Sequence, residues 1–380
     1  MTPPIAKRCA TLNKSLIRQV ADAAAKGTIN LGLGQPAIDP HPSVMERLAK
    51  AAKDNKAAYT PNAGDAELRA RIGAELFSGA PMESVLITIG SEEAMFTALM
   101  ALCDPGDELL GPEPGYPAYR SISTLLGVQH KPYMLTPDFR IDVDALLAQI
   151  TDKTRVVIVT SPSNPTGRFA GADKDMQRLV EGCAKKNVWV IDDCLYRDIH
   201  FVEHHRPLYK MGDNVLTIDA ISKSYACTGL RVGWLQGPVE LESKLIAIHQ
   251  AVCTTAPTPS QEATKACLDL RKTNYAKEIN ALYSERARAA EGALAKEPKL
   301  KFHPSEGAFY VFADARAFGV DTKELAFDLA RNGKVIIVPG EAFGPSAKGF
   351  IRVTYAPTPD KIAAGVEQLI EGLRTAKRVA

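Results

Sequence analysis

Four nearly continuous apolar runs of strand length punctuate the chain: Val85–Ile89, Val156–Thr160, Val188–Ile191 and Val215–Ile218. Their Val and Ile content, with little alternation, is the pattern of strands covered on both faces. Between them lie helix-like stretches, Glu92–Leu102, Asp142–Ile150 and Asp173–Lys186. Strands that alternate with helices need crossover connections, which predicts an α/β fold around a mostly parallel sheet. After Pro238 the character changes. Helical patterns run from Glu240 to about Ala295, then Phe309–Ala313, Val335–Val338 and Phe350–Tyr355 read as strands around a helix at Thr322–Arg331. A last helical pattern spans Asp360–Lys377, so this part predicts a smaller α+β domain. The opening residues carry Pro36, Pro40 and Pro42 and predict an extended arm. The expected division is 1–45 for the arm and part of the small domain, 46–275 for the large domain, and 276–380 for the small one.

Composition narrows the possible roles. The 380 residues suffice for two domains and a large core. With 46 basic against 44 acidic side chains and no basic tract, neither nucleic acid nor a membrane surface is expected as a partner. The seven cysteines are scattered and include no Cys-x-x-Cys pair. Free thiols in a reducing compartment are therefore expected, with no disulfide frame and no metal site. No apolar stretch reaches the roughly 18 residues of a membrane span. Lys7, Arg8, Lys14 and Arg18 precede no apolar segment, so a terminal arm leading into Ser15-Leu16-Ile17-Arg18 is preferred over a targeting peptide. A cytoplasmic location is expected.

Several short segments end strands with residues suited to chemistry. In Ile221-Ser222-Lys223-Ser224-Tyr225-Ala226-Cys227-Thr228-Gly229-Leu230-Arg231, a lysine sits among small residues after the Val215–Ala220 run. Desolvation and a cationic neighbour there favour the neutral amine, the form that attacks an aldehyde. Gly90-Ser91-Glu92-Glu93-Ala94 opens a helix after a strand and suits a phosphate, although a plain N-cap serine gives the same pattern. Tyr116, between the prolines of Pro114-Gly115-Tyr116-Pro117, offers a flat face for a ring, or simply packs. Asn164 stands between prolines in Ser161-Pro162-Ser163-Asn164-Pro165-Thr166-Gly167, at the carboxyl end of a strand where open α/β sheets collect ligands. Asp193, in Asp192-Asp193-Cys194-Leu195-Tyr196, ends another strand and needs a cation or a strong donor if buried. Arg231 and Arg352 lie in glycine-rich or apolar surroundings and need an anion, either a ligand or an internal carboxylate.

These motifs, in this order, resemble the class I/II aminotransferases, fold-type I enzymes that use pyridoxal 5′-phosphate. The resemblance covers the chain from about Ile29 to the C-terminus. It implies a large domain with a mostly parallel central sheet plus a smaller α+β domain. It also implies that Lys223 bonds the cofactor's aldehyde and later shuttles a proton. Asp193 would pair with the pyridine nitrogen, Asn164 and Tyr196 with the ring hydroxyl, and Tyr116 would stack on the ring. The phosphate would fall to Ser91, Glu92, Ser222 and Arg231. Tyr59, in Tyr59-Thr60-Pro61-Asn62-Ala63-Gly64, would reach the phosphate of a neighbouring subunit, which implies a homodimer. Arg352 would clamp the substrate α-carboxylate, with help from backbone near Gly34.

Two departures bear on specificity. Ala220 stands where many relatives place a phosphate-binding serine, so that bond is either missing or supplied by Ser222. Glu92 stands where some aspartate-specific relatives carry a lysine; it either repels an acidic substrate side chain or points to solvent, and the first reading sets the expectation. The expected reaction is therefore transfer of an amino group from an L-amino acid with a neutral or cationic side chain to a 2-oxo acid. Elimination, replacement or cyclisation on the same lysine–cofactor bond is the alternative. Gly32-Leu33-Gly34-Gln35-Pro36-Ala37 formally matches a dinucleotide fingerprint, but Pro36, Pro40 and Pro42 deny it the helix that motif requires.

Overall fold

The computed structural model describes residues 3–203 and 207–378. Its centre is a seven-stranded sheet with the spatial order Val85–Thr88, Gly233–Gln236, Val215–Ala220, Trp189–Asp193, Thr154–Thr160, Glu108–Glu113 and Gln129–Met134. Only Gly233–Gln236 runs antiparallel to its neighbours. The predicted mostly parallel sheet is therefore present, and its inner strands are buried along nearly their whole length.

Register brings the chemistry to one edge. Thr160 lies opposite Asp193, and Asp193 lies opposite Ile218, so three carboxyl ends are level. The turn carrying Ser222 and Lys223 leaves the sheet there. Val85–Thr88 joins the same edge by pairing Thr88 with Gly233, which also pairs with Ala220. A Cβ on Gly233 would lie 2.7 Å from the Gly90 carbonyl carbon and 2.8 Å from the Ser91 nitrogen. Only glycine permits that approach, and it lets the helix Gly90–Leu102 start directly over the sheet edge.

The smaller domain pairs Lys301–Phe302, Tyr310–Asp314, Phe350–Thr354 and Val338–Pro339 in an antiparallel sheet. Helices Tyr275–Leu294 and Pro359–Thr375 bury Tyr283, Ala290, Val366 and Leu369 with Val311 and Ile351 of this sheet, and with Phe309 just before it, in one apolar cluster. The predicted strand Val335–Val338 is two short strands instead. Val335–Ile336 pairs with Ile29–Asn30, while Val338–Pro339 joins the antiparallel sheet.

The first 45 residues are less extended than their prolines suggest. Ser15 caps a helix over Leu16–Asp22, with its side chain accepting from the Arg18 N–H, and Val20 is buried in the small-domain cluster. Pro42 occupies the first turn of helix Pro42–Lys53, where its missing N–H costs nothing. Pro117 likewise begins Pro117–Leu126. None of the described helices is long and apolar enough to cross a membrane.

Candidate active site

A cavity of about 550 Å³ opens at this sheet edge, between the two domains. It is lined by Gly34, Ser91, Glu92, Tyr116, Asn164, Asp193, Tyr196, Ser222, Lys223, Arg231 and Arg352, which is every site residue expected from the sequence except Tyr59. Tyr59 is 82% exposed and lies outside the cavity of its own chain.

One end of the cavity is built for an anion. Gly90–Leu102 presents the free backbone N–H groups of its first turn, at Ser91 and Glu92. Arg231, with φ of 54°, donates to the carbonyls of Ile89 at 3.2 Å and Thr228 at 3.1 Å. No carboxylate lies within ion-pairing distance of this guanidinium among the described residues.

In the middle stands Asp193, buried at its strand end. The Tyr119 hydroxyl donates to Asp193 Oδ2 at 2.6 Å and also bonds Thr160 Oγ1 at 2.7 Å. Burial pushes the Asp193 carboxyl above its ordinary range; the Tyr119 hydroxyl and the nearby Lys223 pull it back down. Tyr116 lies edge-on to Tyr119, with ring centroids 5.7 Å apart.

Lys223 Nζ donates to the Gly34 carbonyl at 2.5 Å. Burial, with Arg352 and Arg231 adding repulsion, lowers its pKa to about 8. The Gly34 segment is held by Asn30, whose Oδ1 accepts from the N–H groups of Gly32 and Leu33 at 3.0 and 2.9 Å. A Cβ on Gly34 would lie 2.4 Å from the Tyr310 hydroxyl. The two glycines of the dinucleotide-like motif thus serve close packing, and no helix begins there.

Arg352 forms the far wall. It is 1% exposed, donates to Asn164 Oδ1 at 2.8 Å and to the Gly32 carbonyl, and lies over the Tyr310 ring at 4.4 Å. Its Nε has no partner, and no acidic side chain pairs with it among the described residues. Burial depresses its pKa. A buried guanidinium without a counter-anion is costly, and a ligand carboxylate would satisfy both its charge and its fork.

The structure adds residues that sequence reasoning missed. Tyr119 and Thr160 support Asp193, and the Tyr310 hydroxyl bonds that of Tyr196 at 2.7 Å. Tyr119 lies in the same short segment as Tyr116, so its signal was present, but nothing local separates the two. Tyr310, inside an apolar strand, carries a hydroxyl that must find a partner when buried, and that was the available signal. Ser15, Ile17 and Arg18 reach the cavity mouth from the N-terminal helix.

Comparison with known proteins agrees with this geometry. Residues 26–369 match the family Aminotransferase class I and II. A probable aspartate aminotransferase from Methanocaldococcus jannaschii is 32% identical, over 93% of this chain and 95% of that one. Aromatic-amino-acid aminotransferase 2 from Thermococcus litoralis is 29% identical, over 99% of this chain and all of that one. The structure of N-succinyldiaminopimelate aminotransferase from Mycobacterium tuberculosis superposes with a TM-score of 0.90 at 28% identity, covering 97% of this chain and 100% of that one. The chain belongs to the class I and II aminotransferases, enzymes of fold type I that depend on pyridoxal 5′-phosphate.

Proposed function

We propose that the cavity binds pyridoxal 5′-phosphate and an L-amino acid with a neutral or cationic side chain, whose amino group passes to a 2-oxo acid. The observation that carries the reading is the order of charges along the cavity. Arg231 and a helix start lie at one end, Asp193 and Lys223 in the middle, and Arg352 without a counter-anion lies at the other. That donor set fits a phosphate, a ring nitrogen, an aldehyde and a carboxylate in turn.

Each residue then has a task that its surroundings support. Arg231, Ser222 and the Ser91 and Glu92 N–H groups hold the phosphate. Asp193, whose carboxylate form the Tyr119 hydroxyl favours against burial, would pair with the ring nitrogen and favour a proton there. When bound, the cofactor supplies the electron sink for the pair left at the substrate Cα. Asn164 and Tyr196 would bond the ring hydroxyl, and the Tyr116 ring would confine the heterocycle. Lys223, its amine shifted toward the neutral form, would serve as the base for the substrate Cα proton and as the donor of its return. Arg352, already fixed by Asn164 and the Gly32 carbonyl, orients the substrate carboxylate without further loss of freedom.

Glu92 supports the side-chain preference. It lines the cavity, and no cationic side chain pairs with it among the described residues, so it disfavours an acidic substrate side chain and favours a basic one. A second reading rests on Arg18, a cation at the mouth that suits an acidic distal group. Half-reactions with neutral, basic and acidic L-amino acids decide between them. The proposal predicts higher kcat/KM for neutral or basic donors than for aspartate; the reverse order assigns the substrate to Arg18. A donor consumed repeatedly without any 2-oxo acid would mark elimination or cyclisation. The 82% exposed Tyr59 supports a homodimer in which this side chain completes the neighbouring site, and the mass in solution tests that.

A further inference from the structure

Outside the cavity, Glu93, His249 and Cys253 bring three unlike donor atoms together, all within 4.8 Å of one another. Glu93 lies in the first turn of Gly90–Leu102, and its carboxylate is held from behind. Oε2 accepts from the Ile89 N–H at 3.1 Å and Oε1 from the Thr97 hydroxyl at 2.5 Å. His249 and Cys253 stand four residues apart on Glu242–Cys253, hence on one helix face. His249 is fully buried, while Cys253 is half-buried at the helix end.

The spacing is informative. His249 Nδ1 lies 3.2 Å from both Glu93 oxygens, and Cys253 Sγ lies 3.4 Å from Nδ1. Ligands on a tetrahedral zinc ion, with metal–nitrogen and metal–oxygen bonds of about 2.0 Å and a metal–sulfur bond of about 2.3 Å, stand about 3.3 Å (N to O) and 3.5 Å (N to S) apart. The observed N–O and N–S separations, 3.2 and 3.4 Å, are those of donors that can share one ion; without an ion the Cys253 thiol lies 3.5 Å from the His249 carbonyl oxygen.

We propose that Glu93, His249 and Cys253 form a binding site for a divalent transition ion of borderline softness, such as Zn2+, with water in the fourth position. Imidazole and thiolate select against Mg2+ and Ca2+. Binding releases the thiol proton to solvent, so one carboxylate and one thiolate balance the two positive charges. The Ile89 N–H and Thr97 hydroxyl fix the carboxylate as outer partners. The sequence expectation of no metal site rested on cysteine spacing, which a mixed Glu–His–Cys set does not display. None of the three side chains lines the cavity.

The test titrates chelator-treated holoenzyme with Co2+ and then displaces it with Zn2+. One equivalent per chain is expected, with the d–d bands of four-coordinate cobalt at longer wavelength than cofactor absorption. Cys253→Ser should weaken binding by at least about 100-fold, and Thr97→Val by about tenfold, retained cofactor absorbance showing that each variant folds. Should Cys253→Ser not fold, Thr97→Val carries the comparison. Absence of four-coordinate bands in the native protein, or bands unchanged in the variants, overturns the proposal.

Discussion

Replacing Tyr119 by phenylalanine removes one oxygen atom from the wall behind Asp193. That hydroxyl donates to Asp193 Oδ2 at 2.6 Å and bonds Thr160 Oγ1 at 2.7 Å. The remaining backbone contact, from the Leu195 N–H to Oδ1, is long at 3.4 Å. A hydrogen bond to a charged, buried acceptor contributes about 2 kcal/mol. Burial already pushes the Asp193 carboxyl up, and the variant removes the main opposing influence. The carboxylate then protonates at higher pH. With 2 kcal/mol lost, kcat/KM should fall roughly thirtyfold. The acid limb of its pH profile should move upward. Stability also falls in this variant, whatever Asp193 does, so the discriminating readout is the pH profile of the half-reaction with a fixed donor. Thr160→Val, which leaves the tyrosine–aspartate bond intact, should shift the limb far less. An unchanged acid limb and rate in Tyr119→Phe would refute the role given to Asp193.

Other parts of the site make separate predictions. Arg352→Lys keeps the charge but loses the planar fork, so KM for the amino donor should rise about 10- to 100-fold, while cofactor affinity, measured by fluorescence titration, stays unchanged. Gly233→Ala places a Cβ 2.7–2.8 Å from backbone atoms of Gly90 and Ser91, which cannot yield as a side chain would. Thermal unfolding should show a loss of about 1–3 kcal/mol, and cofactor affinity should drop as the helix start is pushed away. Lys223, lowered to about 8, gains its neutral form as pH rises. Uptake of cofactor by the cofactor-free protein should therefore quicken with pH, by about tenfold per unit below 8, and level off above; stopped-flow absorbance reads this, and a flat profile contradicts it.

The parts of the fold legible in the sequence were those whose apolar runs are continuous. Val156–Thr160 and Val215–Ile218 were visible because both faces of these strands are covered. Glu108–Glu113 carries Gly111 and Pro112, and Gln129–Met134 is an exposed edge with Pro132, so neither shows a strand pattern. The N-terminal helix escaped notice because its seven residues bury only Val20. The residues that line the cavity were legible because most follow strand ends and are odd for their surroundings, such as Lys223 among small residues and Arg352 among apolar ones. Tyr119 and Tyr310 act on Asp193 and Tyr196 across 74 and 114 residues of chain, and no local pattern encodes such a contact. The cavity-lining residues Ser15 and Arg18 are brought there by a helix whose Val20 packs into the small-domain cluster, a long-range contact that single-sequence periodicity does not reveal.

Everything assigned to the cavity turns on which amine meets the coenzyme. Borohydride reduction of the protein with pyridoxal 5′-phosphate, followed by peptide mapping, reads this directly. The account predicts a single phosphopyridoxyl mass on the peptide containing Lys223, absent in Lys223→Ala. A label on another lysine, or no label at all, would contradict it.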